Sequence, residues 1–328
     1  MNRSANVVFT IARKEYSDAI KNKLFLSLLV FLMILTLVSI LVASFSFQGK
    51  VLDYNTSVQL LKQLGKLSDI KPQPQFFPLQ MLRGVINYLE IIGAIIGIIL
   101  GYLSIAKEKG NKTLQLILSR PVKRSDIISG KILGNSLLII SVLSVIAVFV
   151  YLAVWLVGGV KLLPVEVLKL SLAIVASYIY IMFFFILSSI MSLKLKRLPH
   201  ALIICFVIWL IFVLIIPQIG DTMDPDNQIP GGFFQSMHIA KPQEKEIMAK
   251  FSTYETTRNA LEESSVTKHY ERLCFALLGI KEEYNQKDLS FIFKNKWNDL
   301  LWLFSFFLVS ALFEYSILIN KKKILGED

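Results

Sequence analysis

Six long apolar runs constrain this chain more than any other feature. Leu24–Phe47, Ile132–Val157 and Leu170–Leu193 hold 24, 26 and 24 residues without a charge. Val85–Ala106 and Leu300–Ile319 hold 22 and 20 residues with one charge each, Glu90 and Glu314, and Ala201–Ile219 holds 19 with Pro217 near its end. A helix rises about 1.5 Å per residue and the hydrocarbon core is about 30 Å thick, so about 20 apolar residues make one crossing. The pattern predicts an all-α polytopic membrane protein with six transmembrane helices. Composition agrees: 54% of the residues are apolar, 18% are charged, and mean hydropathy is +0.59. These values exclude an ordinary soluble enzyme and a disordered chain. The first run is too long for a signal peptide and follows 23 residues.

Six crossings put both ends on one side. The segments on that side, 1–23, 107–131, 194–200 and 320–328, carry 18 Lys/Arg in 64 residues, against 17 in 129 on the other. By the positive-inside rule the termini are cytoplasmic. The net charge of +11 then reflects topology, and no soluble basic face with stacking aromatics points to nucleic acid. The expected setting is the cytoplasmic membrane of a prokaryote, with lipid as the surrounding partner.

The chain divides into residues 1–23, 24–219, 220–299 and 300–328. In the first, Val7, Val8, Ile11, Tyr16, Ala19 and Ile20 recur near helical spacing among basic residues, which suits a cytoplasmic interfacial helix. The second holds spans one to five, an outer loop at 48–84 and an inward loop at 107–131. In the outer loop Thr56 or Ser57 is expected to cap a short helix that Pro72, Pro74 and Pro78 end. The third is a small helical extracytoplasmic domain built with the outer loop, or a segment lying on the outer leaflet. Its helices are expected from about Pro242 to Gly279 with a break near Ser264–Ser265. Ile247, Phe251, Tyr254 and Leu261 share one face, and Val266, Tyr270, Leu273 and Leu277 another. The fourth is the last span and a cytoplasmic tail.

No residue set carries covalent chemistry. HExxH, GxSxG and GxxxxGK[ST] are absent, and Cys205, Cys274, His200, His238 and His269 have no metal-ligand spacing. The reading is a non-catalytic chain that binds no cofactor itself.

The loop Ala106–Gly134 is the informative one. An apolar stretch, Thr113–Leu118, sits between charges and suits a short helix that meets another protein. Pro121 ends it, and Ser125 with Asp126 opens a new helix. Such an element joins a soluble partner to two spans. The stretch resembles the cytoplasmic loop of type-2 ATP-binding-cassette (ABC) transporter permeases. Glu108, Thr113, Leu114, Leu116, Leu118, Ser119, Arg120, Pro121, Val122, Arg124, Gly130 and Lys131 follow that family's order and spacing, with Lys112 where the family has glycine. Arg13-Lys14-Glu15-Tyr16 and Lys21-Asn22-Lys23 resemble its entry helix.

The resemblance implies a dimer of permease chains, two copies or a copy and a paralogue, each docking a separate cytoplasmic ABC ATPase that carries ATP and Mg. Residues 107–124 would be the ATPase contact. Arg120, Lys123 and Arg124 would meet acidic or carbonyl groups, and Leu114, Ile117 and Leu118 would fill an apolar groove. The alternative account of those basic residues is charge bias at the inner leaflet, though an ordered motif is more than charge bias.

Gly93, Gly97 and Gly101 form a four-residue ladder, which marks either an interface along a translocation path or ordinary packing within the chain. Glu90 and Glu314 are intramembrane carboxylates that line a polar path, reach the interface or pair. The function expected is ATP-driven export of a hydrophobic or amphipathic substrate. The alternative is a mechanotransmitting component that works on an extracytoplasmic protein without moving a solute.

Overall fold

A computed structural model describes residues 3–64, 77–110, 124–157, 159, 161–223 and 233–319. Among these there is no strand, and six helices are long and apolar enough to cross a membrane. Helix α1 is Arg3–Ile20, and Asn22 starts α2, Lys23–Gln63, by accepting from Leu24 N and Phe25 N at 3.0 and 3.2 Å. Helices α3 (Pro78–Gly110), α4 (Arg124–Leu156), α5 (Pro164–Lys194) and α6 (Leu198–Met223) complete the first five crossings. Beyond the Phe233–Ser236 turn come α7 (Lys241–Lys250), α8 (Ser252–Glu263), α9 (Val266–Leu277) and the sixth crossing, α10 (Leu289–Ile319).

Helices α3 and α5 form the centre and pack along each other; α2, α6 and α10 are mostly exposed around them. The glycine ladder makes that central approach possible. A Cβ at Gly97 would lie 2.5 Å from Ile181 O, and one at Gly101 2.1 Å from Phe185 O. Gly93 faces the Ile181 side chain. All three glycines thus pack against α5 of the same chain.

Several details depart from the sequence expectation. The outer loop's short helix is instead the continuation of α2, which at 41 residues spans about 60 Å. Thr56 and Ser57 do not cap; their hydroxyls donate back to Leu52 O and Asp53 O within the helix. Pro72 and Pro74 lie outside the described residues, and Pro78 opens α3. The face α1 buries is Ala12, Glu15 and Ala19, with Val8 and Ile11 half-buried, whereas Ile20 is exposed. That face lies on α4.

Two spans contain π-helical segments, Leu89–Gly93 in α3 and Leu210–Ile215 in α6. Pro217 explains the second: its ring crowds the carbonyl four residues back, at Val213, and the wider turn relieves the clash. Carbonyls in both segments accept from hydroxyls elsewhere, Glu90 O from Tyr180 and Phe212 O from Ser265, at 2.8 and 2.7 Å.

Helix α9 follows the break at Ser264–Ser265 and is buried against α3, α5 and α10. Tyr270 stacks on Tyr180 at 4.4 Å and shares a 2.8 Å hydrogen bond with Ser177. The partner for the face Val266, Tyr270, Leu273 and Leu277 is therefore the spans themselves. The other face stays open, with Phe251 and Tyr254 exposed.

Candidate functional site

The loop 111–123 leaves α3 and returns into α4. Thr113, Leu114, Leu116, Ile117, Leu118, Ser119, Arg120, Pro121 and Lys123 lie outside the described residues, and Arg124 is described only as the start of α4. The helices at the loop's base are described, and they converge on one lysine.

Gly130 and Gly134 place α1 against α4. A Cβ at Gly130 would lie 2.7 Å from Ile11 Cβ, and one at Gly134 2.5 Å from Ala12 O. This is small-xxx-small packing at the seam of two helices. The approach carries Glu15 of α1 to Lys131 of α4. The Lys131 ammonium donates to Glu15 Oε1 at 2.9 Å and to Ser104 O at 2.7 Å, and pairs with Glu108 Oε1 at 2.9 Å. An ammonium has three donors, and here all three are engaged. Lys131, Glu15 and Glu108 are all buried.

Lys14, half-exposed, adds a second cation at 3.1 Å from Glu108 and 3.6 Å from Glu15. Burial alone would lower the Lys14 pKa; the Glu108 and Glu15 carboxylates outweigh that and hold it above its ordinary value. Lys107 and Asp18 approach at 3.8 Å on the rim, and a polar cavity of about 30 Å³, room for a water, lies among Lys14, Glu15, Asp18, Ser104, Glu108 and Asn135.

One residue past Glu108, Lys109 ties the same end of α3 to α5. Its ammonium donates to Ser192 O, Leu193 O and Leu195 O at 3.1, 3.0 and 2.7 Å, capping the last carbonyls of α5. Both arms of the loop are thus fixed to each other, to α1 and to α5. A force applied to the loop would move these elements together.

Of the predicted site residues, the structure brings Glu108 into this junction. The glycine ladder packs between α3 and α5. Glu314, 3% exposed, accepts from Ser189 of α5 at 2.5 Å and does not reach Glu90. Glu90 lies in the π segment of α3 and is also buried. Sequence reasoning quoted Lys14, Glu15 and Lys131 only as parts of motifs and missed Lys109, Gly134 and Asn135. The Gly130–Gly134 spacing was the available signal, the same one noticed in the second span.

A family model described as ABC-2 family transporter protein matches residues 9–320. Comparison with curated proteins gives no match. The matched segment runs from within α1 to the end of α10 and contains the whole junction. With six helices able to cross a membrane and a match over nearly its full length, the chain belongs to the ABC-2 transporter family and is a multi-pass permease subunit of an ABC transporter.

Proposed function

We propose that this permease serves ATP-driven export, with a separate ATPase docked on residues 107–124. In this reading the termini are cytoplasmic, a second permease copy or paralogue completes the pore, and ATP and Mg sit on the ATPase. Leu114, Ile117 and Leu118 would fill an apolar groove while Arg120, Lys123 and Arg124 would meet acidic or carbonyl groups. The single observation that supports this is the saturated Lys131 node, which binds both arms of the loop to α1. A loop that only crossed the inner leaflet would need no buried charge at its base. ATP-driven closure of the ATPases would push the loop, and the junction would pass the displacement to α3, α4 and α5 as one body. The substrate fits as a hydrophobic or amphipathic molecule.

The exposed Phe251 and Tyr254 on α8 and its approach favour a second reading, in which the far end acts on an extracytoplasmic protein. Copurification tests the docking. The ATPase should be captured by the parent chain and lost when Leu116→Asp is combined with Arg120→Glu. Retention of the ATPase by that double variant contradicts the proposal. Solute movement in proteoliposomes separates export from the second reading.

A further inference from the structure

At the end of the bundle opposite the termini, a cavity of about 570 Å³ opens between the start of α3, the start of α5 and the turn after α9. Its volume suits a small-molecule site. Leu79, Leu163, Val165 and Leu278 supply apolar wall, and Lys169 and Lys161 line it with positive charge. We propose that this cavity binds an anionic amphiphile, with a phosphate or carboxylate at Lys169 and an acyl chain along Leu163 and Val165.

The argument starts from Lys169. It is 7% exposed, and its ammonium donates to Lys287 O at 2.7 Å. Among the described residues no carboxylate lies within ion-pair distance of it; Asp288 and Glu166 act on it only from farther away. Glu166, also in the lining, turns its carboxylate to the backbone and accepts from Leu163 N at 2.7 Å. Lys131 at the other end shows what a buried lysine in this protein takes when complete: three acceptors, two of them carboxylates. Lys169 has one neutral acceptor and two donors left over. A buried charge without a contacting counter-ion is costly, and an anion in the cavity supplies one closer than Glu166 and Asp288.

The mouth identifies the kind of molecule that carries the anion. Leu163 and Val165 are 65% and 57% exposed beside it, and Lys161 lies over the Trp155 ring at 5.7 Å. An indole with a lysine at the end of a span is the composition of a membrane interface. The acidic group thus sits in the cavity at head-group depth while an apolar chain follows the exposed leucine and valine into hydrocarbon. A free anion would satisfy Lys169 equally but leave that apolar wall wet.

Binding requires neither ATP nor the ATPase, so the test is independent of the transport reading. The purified full chain in maltoside micelles is titrated calorimetrically with dioctanoyl phosphatidate, dioctanoyl phosphatidylcholine and inorganic phosphate. Phosphatidate should bind saturably and about tenfold tighter than the zwitterionic lipid. Lys169→Gln should weaken it about tenfold. Gln286→Glu, on the exposed rim of the cavity, should weaken it severalfold by adding a negative charge with little change in shape, which covers the case in which the lysine variant misfolds. Equal binding of the two lipids, inorganic phosphate binding as tightly as phosphatidate, or unchanged affinity in both variants would overturn the proposal.

Discussion

The two ends of the bundle are both held by charges, but in different ways. At the end bearing the termini, Lys131 gathers α1, α3 and α4 around one buried ammonium with every donor engaged. At the far end the pairs around α9 are separate. Lys268 reaches Asp221 at 3.1 Å and Glu271 at 3.0 Å, Arg272 meets Glu262, and His269 meets Asp299 at 2.7 Å. The Asp221 carboxylate is half-exposed, as the Glu15 and Glu108 carboxylates are not. Exposed pairs contribute little, whereas removing one partner of a buried pair strands the others. The near end is therefore joined by its charges. The far end is joined by the apolar body of α9 together with separate pairs, of which His269–Asp299 is buried.

This difference predicts an order of sensitivity. Lys131→Met should be the most damaging change. It removes the buried ammonium that Glu15 and Glu108 share, and should cost about 3–5 kcal/mol, read as a lowered unfolding midpoint in detergent. A midpoint equal to the parent's would break the contrast between the ends. Gly134→Val should cost about 1–3 kcal/mol by forcing α1 off α4, and should make α1 open to proteolysis. Gly97→Val, at the α3–α5 contact, should cost a similar amount without exposing α1. Gly49 is the control: nothing lies within 4 Å of a Cβ there, so Gly49→Ala should stabilise α2 by about 0.5–1 kcal/mol.

His269 sharpens the comparison. Both of its ring nitrogens face oxygen atoms, Asp299 Oδ1 at 2.7 Å and Glu263 O at 2.9 Å, so it links the start of α9 to α8 and α10. His269→Ala should cost about 1–3 kcal/mol because the buried Asp299 loses a partner and keeps only Lys296. Lys268→Met should cost less than Lys131→Met, about 1 kcal/mol, since both of its partners, Asp221 and Glu271, are more exposed than Glu15 and Glu108.

The crossings were legible because lipid demands a run of apolar residues that nothing else in a sequence imitates. Their ends were less so. Ser125 and Asp126 marked the start of α4 to within a residue, but Gly49, Lys50 and Asp53 continue α2 beyond its apolar run. Helix persists there after the hydrocarbon signal has stopped. The π segment of α3 was not legible, because its Glu90 carbonyl depends on Tyr180, far away in the chain; in α6 Pro217 marked an irregular turn, but not the Ser265 partner of Phe212 O. The Gly130–Gly134 spacing marked a packing seam but not what packs there: Lys131 and Glu15 are 116 residues apart, and a pattern within one helix does not say which other helix it meets. Helix α9 reads from its sequence as amphipathic and external. Its burial follows from an apolar slot among α3, α5 and α10 that only the assembled bundle provides.

The central claim is that the loop's arms and α1 respond to the ATPase as one body. Spin labels at the exposed positions Arg13 on α1 and Leu133 on α4 report on that body from within. A second pair, at Leu133 and Leu308 of α10, reports on its motion against the rest of the bundle. In the permease–ATPase complex, a non-hydrolysable ATP analogue should shift the Leu133–Leu308 distance and leave Arg13–Leu133 unchanged. A shift between Arg13 and Leu133 on nucleotide binding would show that α1 and α4 move apart, and would contradict the account.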